Sequence, residues 1–257
     1  MGLRPTDIER YKRHLLLPEV GAQGQQRLQG ATVVLIGVGG IGAPALAHLV
    51  GAGVGRLRLI DPDRVDVSNL QRQFIYRTDD AGALKVRAAL GFARRLNPDV
   101  LIETDARALD EENAAALLAG ADVVIDGLDR FPPRYALNRA AMAARVPLVS
   151  GAVGRFSGYL SVYKPWERAD APCLGCFTPE EPPEAARCET EGVLGPAPGV
   201  IGAMAAMEAL KEILGLGDSL SGRLALYDPL RAGVRTVALA RDPDCPHCEN
   251  LDRPGVA

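Results

Sequence analysis

The residues 28–55 constrain this chain more than any other stretch. They include no Asp, Glu, Lys or Arg, and they hold eight glycines and Pro44. An uncharged run of that length is long enough to span a bilayer. Four of the glycines, however, fall within Gly37-Val38-Gly39-Gly40-Ile41-Gly42, directly after the β-branched run 31–36. A strand buried on both faces, a glycine turn and a buried helix over 44–50 account for the segment better than a membrane span does. Glycines allow the tight turn and let backbone N–H groups approach a phosphate at the helix N-terminus.

The same alternation continues. Strands are expected over 56–60, 100–104, 123–126 and 147–150. Helices are expected over 83–96, 111–118 and 134–144, the first because Leu84, Ala88, Phe92 and Leu96 recur every fourth residue. Alternating strands and helices imply an α/β fold with a Rossmann-like, doubly wound, mostly parallel sheet. After Gly151 the pattern changes. The run 158–163 alternates like an antiparallel strand, 165–198 is a long Pro- and Glu-rich loop, 199–214 is a helix, and 223–227 with 234–240 form a closing antiparallel pair. Length favours one domain of 257 residues, since a typical domain is about 150. It divides into an N-terminal helical arm (1–30), a nucleotide-binding part (31–150) and an antiparallel part (151–257).

Composition narrows the function. With 47% hydrophobic and 24% charged residues, disorder over most of the chain is excluded. A net charge of −3 and 5% aromatics argue against nucleic-acid binding and against a basic membrane patch. Residues 1–20 are rich in Arg, Lys and Glu and lack the apolar core of a signal peptide, so a cytoplasmic protein is expected.

Asp61 follows Gly42 by 19 residues, at the end of the next expected strand, where an acid binds a ribose hydroxyl. This pattern does not separate NAD from ATP, and a ligand-free strand–helix turn would share it. Four features favour ATP: Asp63 beside Asp61, the donor-rich Ser68-Asn69-Leu70-Gln71-Arg72-Gln73, Lys85 at the edge of a buried helix face, and Asp126 with Asp129 at a strand end. A triphosphate needs such cations and acids, whereas Arg72 or Lys85 alone would read as a solvated charge.

Cysteine spacing gives a second centre. Cys173-Leu174-Gly175-Cys176 and Cys245-Pro246-His247-Cys248 are two C-x-x-C pairs, enough for a closed, structural four-sulfur zinc site. A disulfide or redox pair is the alternative. Cys188 is left over, either a catalytic thiol or a spare loop cysteine.

Together these stretches, with Arg10-Tyr11-Lys12-Arg13 and Gly192-Val193-Leu194-Gly195-Pro196, resemble the ubiquitin-activating-enzyme-like adenylyltransferases of the MoeB/ThiF family over nearly the whole chain. The resemblance implies ATP-dependent adenylation of the C-terminal glycine of a ubiquitin-like sulfur carrier ending in Gly-Gly. It implies that Gly39, Gly40 and Gly42 line the nucleotide turn and that Asp61 holds the ribose. Asn69, Arg72, Gln73 and Lys85 would contact phosphates, and Asp129 would position Mg2+. Arg13 would reach the ATP of the other subunit of a homodimer; without the resemblance it reads as ordinary surface charge on a terminal helix. Cys188 matches a sulfur-transfer cysteine of the thiamin branch. One departure is Asp129-Arg130-Phe131, where the family has Asp-Asn-Phe. Only nine residues follow Cys248, so sulfur is expected from a separate donor protein. An NAD-dependent oxidoreductase and a non-catalytic nucleotide-binding scaffold are the rival readings.

Overall fold

The computed structural model describes residues 2–178, 192–249 and 251. Among them, eight strands form one sheet in the order β3-β2-β1-β4-β5-β6-β7-β8. The strands β1 (Thr32–Ile36), β2 (Arg56–Ile60), β3 (Leu101–Asp105), β4 (Val123–Asp126) and β5 (Leu148–Gly154) are parallel neighbours. Strands β6 (Ser157–Tyr163), β7 (Arg223–Asp228) and β8 (Gly233–Ala238) add on antiparallel. The doubly wound, mostly parallel sheet with an antiparallel extension is therefore as the sequence led us to expect.

Alternate residues of the parallel strands feed two cores. Val33, Leu35, Leu57, Leu59, Val123 and Ile125 point to one side. There they meet α4 (Gly42–Ala52), α5 (Lys85–Leu96) and α9 (Pro196–Leu214). Val34, Ile36, Ile60, Val124 and Leu148 point to the other, against α6 (Ala114–Leu118) and α7 (Phe131–Ala144). Burial on both faces is why the central strands β1 and β4 read as apolar runs, whereas β2 alternates Arg with Leu and the edge strand β3 buries no residue fully.

Three helices begin earlier than their sequence suggests, for one reason. α4 starts at Gly42 rather than Pro44, α7 at Phe131 rather than Arg134, and α9 at Pro196 rather than Gly199. In each case prolines occupy the first turn, where the missing N–H would have had no intrahelical partner. Strand β5 likewise runs past Ser150 to Gly154, because its second half pairs with β6 in a hairpin turned by Arg155 and Phe156. Within the stretch 165–198, expected to be loop throughout, the short helix α8 (Leu174–Phe177) carries Cys176 and is N-capped by Cys173.

The N-terminal arm consists of α1 (Pro5–Arg10), α2 (Lys12–Leu15) and α3 (Gly21–Gly30). Tyr11, between the first two, is its anchor. Its buried hydroxyl accepts a 2.8 Å hydrogen bond from the Asn97 amide, and its ring fills the space over Gly53 just past α4. None of the described helices is long and apolar enough to cross a membrane.

Candidate functional site

The strand order reverses between β1 and β4, and the loops leaving these two strands diverge there. Gly37 and Gly127, each following one of the strands, are pressed together. The Gly127 N–H donates to Ile36 O at 2.7 Å, and a Cβ on Gly127 would lie 2.7 Å from Gly37 O. Gly37 has φ +84°, and a Cβ on Gly42 would meet Gly37 O at 2.0 Å. The turn closes in this form only with glycine at these places. α4 then begins with the Ala43 N–H donating to Gly39 O at 2.9 Å and the Ala45 N–H to Ile41 O at 3.2 Å, so the carbonyls of the turn take up the first donors of the helix.

The predicted nucleotide residues converge on this turn. The buried Asp61 carboxylate accepts from Val38 N–H at 2.7 Å and from Asp63 N–H at 2.8 Å, so it braces the turn from below. Burial pushes its carboxyl above the usual range, opposed by the Lys85 ammonium and these two N–H groups. Lys85 is the first residue of α5, buried, with Nζ 2.8 Å from the exposed Asp63 carboxylate. Its backbone N–H donates to Asp63 O at 2.9 Å, which fixes the pair from both ends. The buried Tyr76 hydroxyl, which sequence reasoning did not single out, donates to Val38 O at 2.8 Å.

Asn69, Arg72 and Gln73 arrive from the single-turn helix Val67–Asn69 and the turn after it. The Arg72 guanidinium donates to Ser68 O at 3.0 Å, and its Cδ would lie 3.7 Å from a Cβ on Gly40. The Gln73 amide nitrogen would lie 3.7 Å from a Cβ on Gly39, an open approach. The Gln73 Oε1 atom is buried without a hydrogen-bond partner. An orphaned amide beside a glycine with open space fits a ligand that carries its own donors and acceptors, as a nucleotide does. Asp129 and Arg130 are exposed in the loop that follows Gly127, whose base at Gly127 and Leu128 lies against Gly37.

Two expectations separate from this cluster. Asp126 is not free to meet a ligand: it is buried and paired with the equally buried Arg134 at 2.8 Å. The sequence placed it correctly at a strand end, but its partner comes eight residues later from α7 and carries no local signal. Arg13 is exposed on α2, at the opposite end of α4 from the turn; among the described residues no ion pair holds it. Cys188 lies outside the described residues.

The cysteine pairs do meet. The Sγ atoms of Cys173, Cys176, Cys245 and Cys248 lie within 4.8 Å of one another. Separations of 3.8 Å (Cys173–Cys245 and Cys173–Cys176) and 3.6 Å (Cys176–Cys248) exclude disulfides, whose sulfurs sit at about 2.05 Å. Four thiolates at about 2.3 Å from a tetrahedral zinc ion are about 3.8 Å apart, so the donor set fits zinc. Hydrogen bonding of its own S–H with Cys176 and Cys248, together with burial, pushes the Cys173 thiol up, and burial pushes Cys245 up to about 11. Four such groups become thiolates together only around a cation. A zinc ion there would supply charge neutralisation and a cross-link, with no open position for chemistry. Met142, twelve residues into α7, packs on the cluster, about 17 Å of helix rise from the end of α7 beside Asp129. His247 stacks on Tyr135 with ring centroids 5.0 Å apart.

Comparison with known proteins agrees with this layout. A sulfur carrier protein adenylyltransferase of Thermus thermophilus is 44% identical over 246 residues, 94% of this chain and 91% of that protein. A SAMP-activating enzyme E1 of Haloferax volcanii is 43% identical over 250 residues, 96% and 91% of the two chains. The crystal structure of Escherichia coli MccB with ATP shares the fold, with a TM-score of 0.80 at 22% identity over 94% of this chain and 75% of that one. The ThiF family model matches residues 11–247, from the anchor Tyr11 to the second cysteine pair, and the chain belongs to the ThiF family.

Proposed function

We propose that this protein is an ATP-dependent adenylyltransferase. It joins the C-terminal glycine carboxylate of a small ubiquitin-like sulfur carrier to the α-phosphate of ATP and releases pyrophosphate. The activated carrier would then take sulfur from a separate donor, in molybdopterin, thiamin or thiolated-tRNA synthesis. The observation that carries this reading is the gathering of Asp61, Asp63, Arg72, Gln73 and Lys85 on one glycine turn. The names of the two relatives at 43% and 44% identity support it.

The chemistry suits these groups. A C-terminal carboxylate has a pKa of about 3.5, so the nucleophile is ionised at neutral pH and no general base is required. None of the three histidines serves the turn: His14 Nδ1 lies 2.9 Å from Gln25 Oε1 in the arm, His48 sits in mid-α4, and His247 lies at the cysteine cluster. The difficulty is bringing one anion onto another. Lys85 and Arg72 would neutralise phosphate charge, Asn69 and Gln73 would orient the phosphates, and Asp61 and Asp63 would hold ribose and cation. Asp129 would hold Mg2+, which when bound supplies further positive charge at the phosphates.

We place a homodimer in this scheme. Tyr11 packs past the C-terminus of α4 while the turn caps its N-terminus, and eleven helical residues rise about 16 Å. Arg13, two residues from Tyr11, stands at the far end of that rod and would serve the phosphates of a second copy. The whole of 1–257 would act as one adenylation unit, working in the cytoplasm, where reduced thiols persist.

The deciding experiment is ATP–pyrophosphate exchange with magnesium, against a panel of small carriers ending in Gly-Gly. Exchange with one carrier is the expected result and names the pathway. Silence across the panel with ATP bound would turn the protein into a scaffold, and silence without ATP binding would return the turn to a dinucleotide.

A further inference from the structure

The ion pair of Arg134 with Asp126 is the most buried charge pair among the described residues, with side chains 4% and 0% exposed. Burying such a pair gives little net stability, because desolvation offsets the attraction. What it does give is position. Asp126 ends β4, in register with Ile36 at the end of β1 and with Ser150 of β5. Arg134 Nε donates to Asp126 Oδ2 at 2.8 Å, while its Nη2 donates to Ser150 Oγ at 2.8 Å and to Gly151 O at 3.1 Å. The Ser150 hydroxyl donates to the same Asp126 oxygen at 2.6 Å. The other oxygen, Oδ1, accepts the Leu128 N–H at 3.0 Å. One guanidinium thus ties α7 to the end of β4, to the middle of β5 and, through a single carboxylate, to the loop that carries Asp129.

We infer that Arg134 is a positioning residue: through Asp126 it fixes the backbone from Gly127 to Asp129 against the glycine turn, and so sets how tightly the site holds magnesium. The second half rests on the proposed role of Asp129; the first does not. The opposite side of the loop is already pinned by the Gly127 N–H bond to Ile36 O. Without the Asp126–Leu128 bond the loop would be held at one end only. Lysine cannot substitute, because an ammonium at Asp126 lacks the second arm of the fork that reaches Ser150 and Gly151.

The test compares wild type with Arg134→Lys and with the paired replacement Arg134→Met plus Asp126→Leu. The pair removes both charges at once, so it keeps the fold where a single change would strand a buried ion. Two readouts are taken: amide hydrogen exchange at Leu128, and the magnesium concentration giving half-maximal pyrophosphate exchange. In both variants Leu128 exchange should quicken, and in Arg134→Lys the magnesium requirement should rise, each about tenfold. ATP affinity measured without magnesium should stay as in wild type. Unchanged Leu128 exchange in the paired variant overturns the clamp, whether or not the protein adenylates anything. Faster exchange with an unchanged magnesium requirement, in a wild type that is active, overturns the link to magnesium. A wild type inactive with every carrier overturns the proposed function instead, and the amide measurement still decides the clamp.

Discussion

Strand β1 buries four of its five residues, whereas β8, at the far end of the antiparallel half of the same sheet, exposes five of its six. Two kinds of construction meet in one sheet. From β2 to β5, helices cover both faces and buried apolar side chains fix each strand, so the backbone at the glycine turn is set by packing. Beyond β5 the core thins. Cys173, Cys176, Cys245 and Cys248 come from this later half of the chain and gather against α7, where they join α8 to the segment after β8. The difference teaches where each half is vulnerable. The nucleotide end should fail through single atoms that crowd or remove a contact, and the cysteine end through loss of one ion.

The sharpest break is at Asp129. Asp129→Ala should lower pyrophosphate exchange by about 10³-fold, by analogy with losing one transition-state contact, and leave the melting temperature unchanged because the residue is exposed. An equal loss of stability would move Asp129 from chemistry to scaffold. Stripping metal should act on the other half. For an ion present at about 1,000 times its dissociation constant, removal costs about 4 kcal/mol, or roughly 8–16 °C in melting temperature for a chain of this size. Amide protection should fall first around α8 and the second cysteine pair, and last in β1 and β4. Uniform loss across the sheet would dissolve the distinction between the halves.

Two smaller effects follow, one in the packed half and one in the arm. Gly42→Ala places a Cβ 2.0 Å from Gly37 O and should cost about 3 kcal/mol, read by urea unfolding, with ATP affinity lost in step. The smallest effect concerns the arm. The Arg4 guanidinium holds the Asp7 carboxyl down, from 3.8 to about 2. The folded state therefore favours the ionised form. The stabilisation is fully present above the unfolded value near 3.8, and is lost as pH falls through about 2. Denaturation midpoints measured across that window should fall in wild type and stay flatter in Asp7→Asn.

Sequence legibility followed the same division. The parallel strands, the glycine turn and the amphipathic α5 were readable because periodicity and burial agree there. Both cysteine pairs were readable because their spacing is chemical. Helix starts were not, since Pro44, Pro132, Pro133 and Pro198 break a pattern while remaining compatible with a first turn. Asp126 was read as facing a ligand because strand ends do so, yet the fold gives it to Arg134. Tyr11 appeared in the sequence only as part of a charged motif. Its anchoring role depends on Asn97 and Gly53, which only the folded chain brings near.

The spacing of the cysteines also orders events in time. Cys173 and Cys176 leave the ribosome with the parallel half already synthesised, but two thiols make only half a site. The other two follow 69 and 72 residues after Cys176, once β7 and β8 have been made. Metal capture by these four thiols would thus be a late event, and a bound ion would certify that the antiparallel half is complete. A cell short of zinc would accumulate chains whose nucleotide half is finished while their last segment is still waiting to be fastened.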